Sequence, residues 1–113
     1  MNNKYKAKKV YWNGIRFDSQ KEADRYGGLC ILQKAGIISD LQRQVKFTLL
    51  PAQYEGKKCI FKATNYYADF VYWQDGRMVV EDVKGCKSGA AYREFVLKRK
   101  MMLWINHIRV REV

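Results

Sequence analysis

The sequence predicts a small α/β domain with a mixed, largely antiparallel sheet. The chain has 113 residues, which suits one compact domain, and 48% of them are hydrophobic, enough to build a core. Two Asx-Gly pairs, Asn13-Gly14 and Asp75-Gly76, interrupt runs of β-branched and aromatic residues, as two-residue hairpin turns do. Two longer segments carry apolar residues at helical spacing, and further strands lie between and after them.

The N-terminal half predicts an arm, a hairpin, a helix and a strand. Residues 1–9 carry four lysines and no acid, so we expect a basic arm, followed by a single domain over residues 10–113. A hairpin is expected over 10–17. A helix from about Ser19 to Lys34 follows, because Ser19-Gln20-Lys21-Glu22 has the S-x-x-E form of a capping box. Residues 45–50 read as a strand that Pro51 ends.

The C-terminal half predicts a second hairpin, a helix and a final strand. After a turn at 53–58, a strand is expected through residues 59–61; it is interrupted and resumes near Tyr66. Residues 70–73 and 78–83 flank the Asp75-Gly76 turn. Residues 85–90 read as a loop, a helix is expected from about Ala90 to Trp104, and a strand over 108–113. The predicted order is hairpin, α, β, β, β, α, β.

The charge of the chain favours a nucleic-acid partner. Twenty-two Lys and Arg against 11 Asp and Glu give a net charge of +11, and cations that meet phosphates release counterions. An anionic membrane surface is the alternative, but no stretch reaches the ~20 apolar residues of a spanning helix, so we expect no membrane partner. The three cysteines are odd in number and far apart, which argues against disulfides or zinc pairs. No signal peptide is visible, and we expect a cytoplasmic location.

Counting along the second hairpin predicts a pair of facing acids. With a two-residue turn at Asp75-Gly76, Asp69 lies opposite Asp82, and Lys84 follows on the same face. We expect that face, which also carries Val71 and Val80 together with Trp73 and Met78, to pack inward. Partly buried carboxylates need a shared proton, a lysine or a cation, and oxygen ligands suit Mg²⁺ or Mn²⁺. The alternative is that both acids are exposed and Lys84 simply pairs with one of them.

These residues belong to a wider pattern that resembles a known superfamily. "YADF" followed by "VVEDVKG" resembles the PD-(D/E)XK nuclease signature, with Asp69 as the first acid and Asp82-Val83-Lys84 as the second element. Ala68 stands where the superfamily name has proline. Nearly the full length, including "GIRFDSQKEADRY" and "LQRQVKFTLLPA", looks like a family of small phage-encoded proteins of the DUF1064 type, akin to Holliday junction resolvases.

The resemblance implies a fold, an activity and further site residues. It implies a single-domain restriction-endonuclease-like αβββαβ core, here with an N-terminal hairpin, and hydrolysis of DNA that leaves a 5′-phosphate and a 3′-hydroxyl. It implies that Glu22 joins the site, for which capping is the alternative, and that Gln44 lies beside it, for which an ordinary strand position is the alternative. Asp69, Asp82, Glu22 and the Val83 carbonyl would then bind Mg²⁺ or Mn²⁺, and Lys84 would orient water or stabilise charge on the phosphate.

Basic residues at both ends of the chain are the candidate DNA contacts. The segment from Lys84 to Lys100 carries six basic residues against Glu94, although a solvated helix face is the plainer interpretation of such a run. The candidates are Lys4, Lys6, Lys8, Lys9, Lys87, Arg93, Lys98 and Arg99.

Three functions remain open. The first is a Mg²⁺-dependent junction resolvase acting on four-way DNA, which would be a homodimer because it must make two symmetric nicks. If phage-encoded, it would work in the host cytoplasm. The second is a general or nicking nuclease of the same superfamily. The third is a non-catalytic basic DNA-binding protein, which the intact Asp69, Asp82 and Lys84 argue against.

Overall fold

A computed structural model describes residues 9–113 as two helices and eight strands. The elements follow the predicted order, and the strand expected at 59–61 is present. It pairs with an additional short strand that lies inside the segment expected to be a turn, 53–58, and the two form a hairpin. Their bounds are β1 Val10–Trp12, β2 Ile15–Phe17, α1 Gln20–Lys34, β3 Ser39–Leu50, β4 Gln53–Glu55, β5 Lys58–Phe61, β6 Thr64–Gln74, β7 Arg77–Asp82, α2 Ala90–Asn106 and β8 Arg111–Glu112.

The central sheet has four strands in the order β3-β6-β7-β8. β6 runs antiparallel to both β3 and β7, and β8 lies parallel to β7 after the chain crosses over through α2. The predicted mixed, mostly antiparallel sheet is confirmed, and so are both turns, where Asn13-Gly14 and Asp75-Gly76 have positive φ at each position. β3 begins at Ser39, well before the predicted residue 45, and the last strand is only Arg111–Glu112.

The two helices cover opposite faces of this sheet. α2 packs through Phe95 and Met102 into a cluster that includes Tyr66, Ala68 and Val80. α1 packs through Leu29 into a second cluster, which includes Ile38, Phe70 and Tyr72. Each helix therefore buries one stripe of apolar residues against one face, as expected for a layered α/β domain.

The face on which β6 buries its side chains changes near Asp69. Tyr66 and Ala68 belong to the α2 cluster, whereas Phe70 belongs to the α1 cluster. A regular strand would place these alternate residues on one face. The sequence predicts that the hairpin face with Val71, Val80, Trp73 and Met78 is buried. Val71 and Val80 are buried, but Trp73 is 43% exposed and Met78 is 37% exposed, so the prediction holds only for the half of the face away from the turn. The interruption of the alternation coincides with the acidic residues.

Two hairpins extend from the layered body. β1 and β2 form one, against α1, and β4 and β5 form the other as a continuation of β3 and β6. The radius of gyration is 16.3 Å, against about 13 Å for a compact domain of this length. No helix in the described range 9–113 is long and apolar enough to cross a membrane.

Candidate active site

The second hairpin has the predicted register. Its turn at Asp75-Gly76 pairs Gln74 with Arg77 and continues to Phe70 opposite Glu81. The next step brings Asp69 and Asp82 to adjacent positions at the end of the hairpin. The backbone amide of Val83 donates to Asp69 Oδ2 at 2.8 Å, which fixes the carboxylate beside the last residue of β7. The predicted convergence of the two acids is therefore present.

Gln44 connects Asp69 to the helix α1. It lies on β3 next to Asp69, and its φ of 50° is unusual for a residue other than glycine. Its Nε2 donates to Asp69 Oδ1 at 3.1 Å and approaches Glu22 Oε1 at 3.4 Å. The amide of Gln44 is therefore in contact with both carboxylates.

Glu22 contributes its backbone amide to the cap of α1 and its side chain to the cleft. Its backbone amide donates to the Ser19 hydroxyl at 3.1 Å, so Ser19 caps α1 as the capping-box pattern predicts. Its side chain is directed into the site, where the residue is only 4% exposed and meets Gln44. The first turn of α1 thus adds a third carboxylate to the two on the hairpin.

Asp82 is held by two donors. Lys84 Nζ lies 3.2 Å from Asp82 Oδ1, and the Tyr66 hydroxyl donates to Asp82 Oδ2 at 2.6 Å. The Lys84 ammonium also lies 4.2 Å from the centre of the Phe95 ring, which restricts its position further. Sequence reasoning missed Tyr66. The available signal was a tyrosine at a core position of a strand, since a buried phenol needs a hydrogen-bond partner.

Burial and mutual repulsion raise the pKa values of the site acids. Burial, then the charge of Asp82, raise the pKa of Asp69 to about 7, against the opposing effect of the Val83 amide. Burial, then the charge of Asp18, raise the pKa of Glu22. Burial and the neighbouring Asp82 also raise the pKa of Tyr66 far above its usual range, so this phenol stays protonated and remains a donor. The acids are thus concentrated where their charges are costly.

A cleft of about 350 Å³ opens onto these groups. Glu22, Asp69, Asp82, Val83 and Lys84 line it, together with Lys21 and Tyr67. Lys21 Nζ donates to the Lys84 carbonyl at 2.8 Å and so connects α1 to the segment after β7. A neighbouring cleft of about 230 Å³ shares Asp82, Lys84 and Tyr67 and reaches Lys98 on α2. The acids are therefore accessible from a surface that also carries lysines and an aromatic ring.

The donor atoms suit a hard divalent cation, although no complete ligand cluster is formed. No group of three or more His, Cys, Asp or Glu side chains within residues 9–113 is arranged to hold a metal ion. Of the three site carboxylates, only Asp82 forms an ion pair in the same range, with Lys84. The excess negative charge and the oxygen-only donors fit Mg²⁺ or Mn²⁺, since Mg²⁺ commonly takes one or two protein carboxylates and completes its shell with water and phosphate.

Comparison with known proteins identifies the family. The model of the family described as "Protein of unknown function (DUF1064)" matches residues 2–111. The chain belongs to the DUF1064 family. Neither the curated proteins nor the solved structures give a significant match.

The candidate DNA contacts of this DUF1064 protein are dispersed, and several are paired with acids. Lys98 Nζ lies 3.1 Å from Glu94 and lines the smaller cleft. Lys87 and Arg99 both pair with Glu112, at 3.0 and 3.1 Å. Lys9 lies 2.8 Å from Asp18, and Arg93 is exposed on α2. Lys4, Lys6 and Lys8, with the rest of the predicted arm before Lys9, lie outside the described residues.

Glu81, the acid adjacent to Asp82, has a structural role on the opposite face of the sheet. It is fully buried and accepts from Arg25 at 2.8 Å and 2.6 Å, through its two carboxylate oxygens, as well as from Tyr72. The hydrogen bonds from Arg25 and Tyr72 lower its pKa despite burial. The DUF1064 chain therefore uses two neighbouring acids differently: Glu81 ties α1 to the sheet, and Asp82 faces the cleft.

Proposed function

We propose that this DUF1064 protein is a metal-dependent endodeoxyribonuclease, and that its preferred substrate is a four-way DNA junction. The observation that carries the proposal is the convergence of Glu22, Gln44, Asp69, Asp82 and Lys84 beside one cleft. These residues come from α1, β3, β6 and the end of β7, so distant parts of the chain meet at a single cluster. The αβββαβ order of the body, with β8 parallel to β7, supports assignment to the PD-(D/E)XK superfamily.

Asp69 and Asp82 are the proposed metal ligands, with Glu22 and the Val83 carbonyl as further candidates. When bound, Mg²⁺ or Mn²⁺ supplies Lewis acidity toward a phosphate oxygen and makes water a better nucleophile. The surplus of carboxylates without a cationic partner supports this assignment, because a divalent cation would offset the burial and the repulsion from Asp82 that raise the pKa of Asp69.

The chain itself supplies positioning and positive charge. Gln44 holds the Asp69 and Glu22 side chains through its amide, and Tyr66 holds Asp82. Lys84 is a quarter exposed and held at Asp82 and Phe95, so it can donate to a phosphate oxygen or a water molecule at the cleft. Attack of a water oxygen on phosphorus would break the bond to the 3′ oxygen, leaving a 5′-phosphate and a 3′-hydroxyl.

Net charge and symmetry argue for DNA and for two copies of the chain. The formal charge of +11 supports binding to a polyanion. Resolution of a four-way junction requires two nicks related by symmetry, and each chain offers one cleft, so we propose a homodimer as the active form.

Cleavage of a labelled four-way junction beside a matched linear duplex tests the proposal. We expect symmetric nicks in the junction with Mg²⁺ or Mn²⁺, none with EDTA, and none with Asp82→Ala. Asp24→Ala is the matched control, since Asp24 is an exposed acid on α1 and should leave cutting unchanged. Fluorescence anisotropy should find that Asp82→Ala still binds the junction.

The remaining outcomes decide between the alternatives. Equal cutting of junction and duplex would replace the resolvase with a general or nicking nuclease. Tight binding without cutting under either metal would overturn the nuclease and favour a DNA-binding protein, in which the pairing of Lys84 with Asp82 is purely structural.

A further inference from the structure

The β4–β5 hairpin is an arm that packs little of its own surface. Every residue from Gln53 to Ala63 is exposed. The arm continues the ribbon of β3 and β6 beyond Leu50 and Thr64, which pair with each other at its base. A hairpin of two short strands is at best marginally stable by itself. Its exposed apolar side chains therefore require an explanation outside the core.

The arm combines aromatic rings with lysines. Tyr54 is 61% exposed and Phe61 is 62% exposed. Lys57 is in the turn, Lys58 follows it, and Lys62 follows Phe61, while Glu55 is the one acid in this segment. Proteins bind single-stranded nucleic acid with aromatic rings that stack on the bases and with cations that contact the phosphates.

The same combination continues along the ribbon to the acidic cleft. Lys46 on β3 lies directly opposite Tyr67 on β6, which is 54% exposed and lines the cleft beside Asp69. From Gln44 at the cleft to Leu50 at the base of the arm the strand covers about 20 Å, at about 3.3 Å per residue. That length corresponds to about six stacked nucleotides, at about 3.4 Å each.

A cavity marks the base of the arm. It has a volume of about 350 Å³ and is lined by Phe61, Lys62, Leu50, Gln53 and Thr64. Four of its five lining residues are exposed, so it is an open groove on the surface. It offers one aromatic wall, one cation and one side-chain amide, the groups that recognise an unpaired base by stacking, charge and hydrogen bonding.

We propose that the ribbon and its arm bind a single-stranded segment of DNA that leads into the cleft. Tyr67, Tyr54 and Phe61 are the stacking residues, and Lys46, Lys57, Lys58 and Lys62 contact phosphates. Phe61 pairs with Gln53 and Tyr54 pairs with Cys59, so the two rings of the arm lie on opposite faces and the DNA passes around its edge to reach both. The direction toward the cleft rests on the proposed nuclease function, whereas the binding itself does not. A substrate of this class has unpaired nucleotides next to the cut, as in gapped or flapped DNA, or in a four-way junction whose base pairs open at the branch point.

Charge argues against the other possible occupants. In a symmetric contact between two copies, the arm lysines of one chain would approach those of its partner, and like charges oppose such an interface. Intact duplex DNA would satisfy the lysines but would leave the rings without an unpaired base on which to stack.

Anisotropy with fluorescein-labelled dT20 and a 20-base-pair duplex, both in EDTA, tests the proposal. Replacing Tyr54 and Phe61 together by alanine should weaken dT20 binding at least tenfold, since one base–aromatic stack contributes roughly 5- to 150-fold. Duplex binding should change less than twofold. Trp104→Ala is the matched control, because Trp104 is 85% exposed and belongs to α2 and not to the ribbon or its arm. This variant should bind dT20 normally.

The lysines give a second, independent readout. Replacing Lys57, Lys58 and Lys62 by alanine should reduce the slope of log Kd against log salt for dT20, by about 0.7 for each lost phosphate contact. The aromatic variant should keep the wild-type slope. Unchanged dT20 affinity in the aromatic variant would overturn the proposal, as would an equal loss on duplex. Loss of a dimer in that variant, measured by light scattering, would also overturn it by making the arm a contact between copies.

Failure of the nuclease proposal would be distinguishable. If the wild type never cuts DNA but the aromatic variant loses dT20 affinity, the single-strand surface is supported and the nuclease is not. If the wild type cuts DNA but the aromatic variant binds dT20 normally, the nuclease is supported and the single-strand surface is not.

Discussion

Replacing Asp69 by asparagine should stabilise the metal-free protein. The pKa of Asp69 is about 7, against an ordinary value of 3.8. Between these values the folded protein keeps a proton that the unfolded chain releases, so the free energy of unfolding falls as pH rises. The loss begins near pH 4 and is complete above pH 7, where it amounts to about 4 kcal/mol. Asparagine cannot ionise and avoids this cost.

The hydrogen bonds of Asp69 set the net gain. Its two carboxylate oxygens accept from Gln44 and from the Val83 amide, but asparagine has one such oxygen. Losing one acceptor costs about 1–2 kcal/mol. We therefore expect Asp69→Asn to raise the free energy of unfolding by about 2–3 kcal/mol at pH 8, and by close to zero at pH 5, where the carboxylate costs only about 1.5 kcal/mol.

Urea denaturation in EDTA at both pH values measures the effect. Asp40→Asn is the control, because Asp40 is exposed and its φ of 54° is tolerated by asparagine. It should change the free energy by less than about 0.5 kcal/mol. An equal gain for Asp69→Asn at both pH values, or none at pH 8, would refute the electrostatic account of the site.

Three further predictions concern the metal, the supporting tyrosine and the buried ion pair. Mg²⁺ at about 100 times its Kd should stabilise the wild type by about 2.7 kcal/mol and should leave Asp69→Asn unchanged in calorimetry; equal stabilisation of both would contradict the ligand assignment. Tyr66→Phe removes the hydrogen bond to Asp82, which should lower the cleavage rate at saturating DNA with Kd unchanged; a normal rate would contradict a positioning role. Glu81→Gln weakens the pair with Arg25 and should lower the free energy of unfolding in urea by about 2–4 kcal/mol. The folded variant should cleave DNA at the wild-type rate. A loss below about 1 kcal/mol would contradict the stabilising role of this hydrogen-bond network.

The turn chemistry explains why so much of the site could be predicted. Asp75-Gly76 fixes a two-residue turn, and the turn fixes which residues of β6 and β7 face each other. The convergence of Asp69 and Asp82, and the pairing of Lys84 with Asp82, follow from that register. Local patterns of this kind also located both helices and the Ser19 cap.

Features that depend on contacts distant in sequence were not predictable in this way. The change of buried face near Asp69 and the left-handed conformation of Gln44 arise where α1 and β3 meet the hairpin. The sequence places Tyr66 only near the start of a strand, and the fold brings its hydroxyl to Asp82. Trp73 is exposed because neither helix covers the turn end of the hairpin, which strand alternation alone does not reveal.

Single-turnover cleavage of a four-way junction by wild type and Asp69→Asn, with Mg²⁺, tests the central claim most directly. The variant is expected to be the more stable protein in the absence of metal, so loss of activity could not be attributed to unfolding. The account predicts that it binds the junction with nearly wild-type affinity and does not cut it. Cleavage by Asp69→Asn within about tenfold of the wild-type rate, which is about 1.4 kcal/mol of transition-state stabilisation, would contradict a catalytic role for the acidic cluster.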